Sequence, residues 1–159
     1  MILKLIFIVL LTFVPGLELR FSIPYGIVVL GTEYWPLVFL VGVVANIVLG
    51  IVLYAFFHHL ITLIQKIDFV HKIYKKHLAK AERKIQKGVV KYGIISLGLF
   101  IAIPLPGTGS YSGALVANLL GMRRRDFFWA NAMGVTIAGI VVTLIMLSGN
   151  QAFDFFVLR

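Results

Sequence analysis

The chain has 159 residues, of which 60% are hydrophobic and 13% charged, with a formal net charge of +9 and no cysteine. Soluble domains average roughly 45–50% apolar and about 25% charged residues, so too little polar surface exists here to cover a soluble globule; the composition is that of an integral membrane protein. Without cysteine there is no disulfide framework, no thiol catalysis and no cysteine-ligated metal site.

Residues 1–14 carry one early lysine and an apolar run, the outline of a secretory leader. A leader needs small residues at its cleavage site, and Pro15-Gly16-Leu17-Glu18-Leu19-Arg20 offers charges there instead, so the segment is read as retained. As a helix it would reach only about 21 Å, short of the ~30 Å hydrocarbon core. Pro15-Gly16 then breaks it, and a second apolar arm, Ile23 to Leu30, follows. Trp35 to Phe57 contains no charge and is long enough to span a bilayer.

The second half repeats this order. Gly93 to Ile103 is a short arm, Pro104-Leu105-Pro106-Gly107-Thr108-Gly109 a break, Tyr111 to Met122 a returning arm, and Phe127 to Leu147 an uncharged stretch of spanning length. Pro15-Gly16 matches Pro106-Gly107, Gly31 matches Gly121, and Ala45-Asn46 matches Ala130-Asn131. Broken backbone at membrane depth survives only where protein or a watery cavity satisfies it, and paired broken segments point to a transporter site. The predicted fold is all-α integral membrane: an inverted repeat of two re-entrant helical hairpins, each followed by one transmembrane helix. The first repeat covers 1–60, with a hairpin over 1–31 and a span over 35–57. The second covers 93–147, with a hairpin over 93–122 and a span over 127–147.

Charge bears on topology. Nine of the 15 basic residues lie between Lys66 and Lys91, and Arg123, Arg124 and Arg125 bring the total to 12. If both termini are outside, all 12 fall on the cytoplasmic face, as the positive-inside rule requires. Within 66–91, Ile67, Val70, Tyr74, Leu78, Ala81, Ile85 and Val89 recur three or four apart, which predicts a basic amphipathic helix joining the repeats and lying on the cytoplasmic membrane surface. No aromatic–basic platform for nucleic acid accompanies it.

Glu18 and Arg20 are ionisable groups placed at membrane depth, where such groups are costly and mark function by default; the plainer reading is an ion pair that steadies the hairpin tip. Glu18 is the candidate for proton coupling, since a carboxyl can take up and release a proton. Arg20 presents a planar donor fork suited to phosphate or carboxylate. Ser22 with Pro24 has the look of a helix start, and Ser110 repeats it ahead of Tyr111, so both returning arms would aim helix N-termini at the midplane, an arrangement that suits an anion. Pro104, Pro106, Thr108, Ser110 and Tyr111 complete the candidate substrate contacts, although these groups would also serve to satisfy the broken tip itself. Gly42, Asn46 and Gly50, with Asn131, form a predicted helix-packing face. His58, His59, His71 and His77 lack the spacing of a zinc site. No Ser/His/Asp constellation, phosphate-binding loop or dinucleotide fingerprint occurs, so neither an enzyme nor a cofactor or metal is expected.

Glu18-Leu19-Arg20-Phe21-Ser22-Ile23-Pro24 is similar to the Glu-Leu-Arg-Gly-Ala-Ile-Pro motif of the small multi-drug export proteins, and Pro104 to Ala114 with Leu119-Leu120-Gly121-Met122 resembles that family's second motif. Phe21-Ser22 departs from the usual Gly-Ala. The architecture also resembles DedA/VTT-type membrane proteins, and that likeness implies proton-linked movement of lipids, including polyprenyl phosphates. The leading expectation is a small secondary transporter of an anionic amphiphile, with Arg20 and the helix N-termini holding its head group and Arg123, Arg124 and Arg125 gathering head groups from the cytoplasmic leaflet. The alternatives are a proton-coupled exporter of cationic drugs and a non-transporting scaffold. Two spans and two hairpins enclose little, so a homodimer is expected in the cell membrane.

Overall fold

The computed structural model describes residues 1–64, 93–103 and 108–157. The predicted basic helix over 66–91, together with Pro104 and Pro106, lies outside the described residues. Among those described, all regular structure is helical: α1 (Ile2–Thr12), α2 (Glu18–Leu30), a 3-10 turn (Thr32–Tyr34), α3 (Trp35–Ile64), α4 (Gly93–Ala102), α5 (Ser110–Leu119) and α6 (Arg124–Val157).

Two helical stretches, Thr32–Leu63 and Arg124–Gly149, are long and apolar enough to cross a membrane. Both outrun the uncharged cores read from sequence, because α3 continues through His58 and His59 and α6 begins at Arg124. By contrast α1 has 11 residues and α5 has 10, about 15 Å each at the helical rise, so neither crosses alone.

The distribution of side chains is inverted relative to a soluble protein. Leu40, Val44, Val48, Val52 and Phe56 are all exposed along α3, and their spacing of four makes one continuous outward stripe. Ile137, Ile140, Leu144 and Ile145 do the same on α6. Inside, Thr12, Ser22, Asn46, Ser110 and Asn131 are completely buried. Exposed aliphatic stripes of this extent need an apolar surrounding, and polar groups on membrane helices collect inward.

Close approaches fix the helix directions. Gly50 lies against Asn131, Val43 against Gly139, and Tyr54 stacks on Phe127, so α3 and α6 are antiparallel. Ile23 meets Gly42 and Gly26 meets Val38, which runs α2 against α3. Asn131 links Ser110 to Ile47, while Asn118 reaches Tyr54, which runs α5 along α3. The α2 and α5 helices therefore point away from each other with their N-termini together at the centre.

Glycines allow these approaches. A Cβ on Gly134 would lie 2.5 Å from the Gly98 carbonyl oxygen of α4, a backbone atom that cannot turn aside. Gly134→Ala is expected to lower stability in detergent by about 1–3 kcal/mol. Gly149→Ala, with open space around it, should gain a few tenths to about 1 kcal/mol from helix propensity. Thermal unfolding of the two variants checks this; equal shifts would remove the packing role of Gly134.

Candidate functional site

The tips of the two hairpins meet through Glu18. Its residue is 5% exposed, and its carboxylate accepts hydrogen bonds from the backbone N–H of Ser110 at 3.2 Å and of Tyr111 at 3.3 Å. These are the first two residues of α5, whose N–H groups have no partner within the helix. Gly109, the residue that caps α5, makes no side-chain cap bond, so the cap comes from the other hairpin. Gly109 has φ +116, and a Cβ there would overlap the Glu18 carboxylate; both conformation and space require glycine. Glu18 itself has φ +48, the one non-glycine residue with positive φ among those described. That left-handed backbone costs about 1–2 kcal/mol and aims the carboxyl across the joint.

Arg20 serves the other broken end. Its Nη2 donates to the Ile103 carbonyl at 3.3 Å and to the Thr108 hydroxyl at 2.8 Å. The Thr108 hydroxyl in turn donates to Ile103 at 2.6 Å. Ile103 follows directly on the last residue of α4, where carbonyls lack helical donors and a cation is favoured. A third tie runs back, as the Tyr111 hydroxyl donates to the Phe13 carbonyl at the end of α1 at 2.7 Å.

The second arm starts earlier than Ser22 and Pro24 predict. The α2 helix begins at Glu18, one turn before Ser22, and Pro24 lies inside it. Ser22 caps nothing; its hydroxyl sits 2.8 Å from that of Thr12 on α1, and Thr12 donates to the Ile8 carbonyl at 2.9 Å. Pro24 supplies no N–H to the Arg20 carbonyl one turn back. Ser110 likewise is the first helical residue, not the cap, and its hydroxyl donates to Asn131 Oδ1 at 2.9 Å. Asn131 Nδ2 donates to the Ile47 carbonyl at 3.4 Å, and Gly50 leaves room for that carboxamide. Gly42 packs against Ile23, as a packing stripe should.

Glu18, Arg20, Thr108, Ser110 and Tyr111 are thus brought together, and Asn131 joins them through Ser110. Arg123, Arg124 and Arg125 are exposed at the start of α6. Arg124 and Arg125 border a cleft of about 380 Å³ with Ile51, Tyr54, Phe127 and Phe128. Thr12, Gly109 and the Phe13 and Ile103 carbonyls belong to the joint and have no signature in the sequence beyond their place beside a break. Asn118 bridges α5 to the Tyr54 carbonyl at 3.1 Å, and the Tyr54 hydroxyl donates to the Met122 carbonyl. Among the described residues no group of three or more His, Cys, Asp or Glu side chains is placed to hold a metal ion.

A sequence model of the family described as "Putative small multi-drug export protein" matches residues 18–141. The chain belongs to that family. No curated protein matches it, and no solved structure does. The matched region opens on Glu18 and contains every joint residue except those contributed by α1.

Two glycines test the joint. Gly109→Ala is expected to cost about 2 kcal/mol or more, from backbone strain plus the collision with Glu18. Gly121→Ala, at φ +62 with open space around it, should cost only the strain, about 1 kcal/mol. Thermal unfolding in detergent measures both, and equal losses would mean that Gly109 is not confined by Glu18.

Proposed function

We propose that this member of the multi-drug export family is a proton-coupled exporter of small organic cations whose gate is the joint between the hairpins. The observation that supports this is the buried Glu18 carboxylate held by the α5 amides. An ionised carboxylate makes charge-assisted bonds to N–H donors. Protonated, it accepts less strongly and brings a hydrogen that those donors cannot receive. Proton uptake loosens the joint and proton release closes it. A cation that reaches Glu18 competes with the same proton, which is the exchange that export against a gradient requires. Arg20 donates at Ile103 and Thr108, on the α4 side.

In this reading α3 and α6 span the membrane, and α1–α2 and α4–α5 are re-entrant hairpins inserted from opposite faces as an inverted repeat. The opposed directions of α2 and α5 support it, as do the short lengths of α1 and α5. Both termini lie outside and Arg123 to Arg125 inside. The protein works as a homodimer, because two spans and two hairpins enclose little by themselves; a monomeric mass in native nanodiscs would overturn that.

Movement of an anionic amphiphile such as a polyprenyl phosphate is the second reading. The N-terminus of α5, which would hold its head group, is occupied by Glu18, so the substrate would have to displace that carboxylate. The cleft beside Arg124 and Arg125 favours this reading, since two arginines bordering a cleft with aromatic side chains suit an anionic head group.

The test uses proteoliposomes with an imposed pH gradient, wild type or Glu18→Gln, and two probes: ethidium and a labelled polyprenyl phosphate. Wild type is expected to move ethidium while dissipating the gradient, and Glu18→Gln to fall to the level of empty liposomes. Movement of the lipid probe alone would favour the second reading. Folded wild type that moves neither probe would overturn transport of both and favour a scaffold, whereas Glu18→Gln with full activity would overturn proton coupling through Glu18.

A further inference from the structure

Asn46 is completely buried at the middle of α3, and neither its Oδ1 nor its Nδ2 has a partner among the described residues. Thr143 carries the other unpartnered buried atom, a single hydroxyl oxygen. A carboxamide is the heavier case, for it brings both a donor group and an acceptor. Such a group loses its hydration without compensation, and each one calls for an explanation in what the protein does.

The surroundings of Asn46 supply that explanation. One turn earlier, a Cβ on Gly42 would lie 3.7 Å from the Ser22 hydroxyl; one turn later, Gly50 faces the Asn131 carboxamide. Asn46 therefore sits on the inner face of α3, between Ser22 of α2 and Asn131 of α6. Each hairpin carries one fully buried serine on its returning arm, Ser22 or Ser110, and each long helix that follows carries one fully buried asparagine, Asn46 or Asn131. In the second half the serine and asparagine are bonded at 2.9 Å. In the first half they are apart: Ser22 is held to Thr12 on α1 at 2.8 Å, and Asn46 is left with nothing.

We propose that Asn46 is the receptor for Ser22 in the opposite-facing state of the protein, and that Asn46 and Asn131 are alternating positioning residues for transport. In the state described, Ser110 is docked on Asn131 and Ser22 is undocked from Asn46. In the opposite state Ser22 docks on Asn46 and Ser110 leaves Asn131. The exchange keeps the number of serine–asparagine bonds constant and gives up one hydroxyl contact, Ser22 to Thr12, a difference small enough for a carrier to visit both states. Rocking of one repeat against the other supplies the motion. The inference rests on the alternating-transporter reading but on neither the substrate nor the proton.

The absence of native cysteine permits a clean measurement. Spin labels on cysteines at Val28 and Leu119, both exposed and near the outer ends of α2 and α5, report the separation of the two arms in nanodiscs. Wild type is expected to show two distances. Asn46→Leu should leave one of them, lower transport about fivefold or more, and raise the thermal midpoint, because an unpaired group has been replaced by an apolar one of similar size. Asn131→Leu should shift the population to the other distance, and Ser110→Ala should shift it the same way with less disturbance should Asn131→Leu fail to fold. A purely structural asparagine would not move the populations in opposite directions. A single wild-type distance in a protein that transports, shifts in the same direction for both asparagines, or unchanged populations in Asn46→Leu would overturn the inference. Two distances with opposite shifts in a protein that moves neither ethidium nor the lipid would sustain it and overturn the proposed substrates instead.

Discussion

A break between two packed helices presents two ends of opposite polarity in one place, and the rest of this structure depends on how they are satisfied. Carbonyls of the arriving arm and amides of the departing arm have no partners within their own helices. Here a single Glu-Leu-Arg sequence answers both. Arg20 donates to the Ile103 carbonyl behind α4, and Glu18 accepts from the first amides of α5. Leu19 between them is buried. Two charged residues that would each be expensive in an apolar interior are retained together because each is complementary to one end of the same break.

From that joint outward the protein is organised as a polar seam inside an apolar sheath. Glu18 holds the α5 amides, Ser110 passes to Asn131, and Asn131 reaches the Ile47 carbonyl on α3. Hydrogen bonds between membrane helices contribute on average about 0.6 kcal/mol each, so no one of them fixes the fold. Close packing adds to them: Gly98 and Gly134 let the α4 and α6 backbones approach where a side chain would collide, and Gly26 and Gly113 make room for the side chains of Ile8, Val38 and Ile101. The seam gains from this division: its bonds are weak enough to exchange while the glycine contacts keep the helices in register.

Much of this was legible in the sequence for plain reasons. Charge-free stretches of spanning length became α3 and α6, and Pro-Gly and Pro-Leu-Pro-Gly marked the breaks between short arms. Local signals misplaced the helix starts. Ser22 and Pro24 resemble a cap and a first-turn proline, yet α2 already begins at Glu18, because the cap signal is a preference of isolated helix ends and tertiary bonds to Thr12 outrank it. Ser110 was one residue late for the same reason: Gly109 takes the non-helical turn, and the capping group arrives from 92 residues away. Glu18 and Arg20 were readable as important but not as a division of labour, since residues two apart suggest a pair or nothing until the helix ends that they serve are in place. The carbonyls of Phe13 and Ile103 have no residue-type signature at all.

The meeting of α2 and α5 by their N-termini has a further electrical consequence. Each N-terminus carries the equivalent of about half a positive charge, and Glu18 stands at both, as the first residue of α2 and the ligand of α5. One full negative charge lies against two positive halves, with the Arg20 guanidinium and the carbonyl ends of α1 and α4 beside them. Without the carboxylate, like half-charges would be left facing each other next to a guanidinium, so Glu18 joins the two arms electrically as well as through its hydrogen bonds.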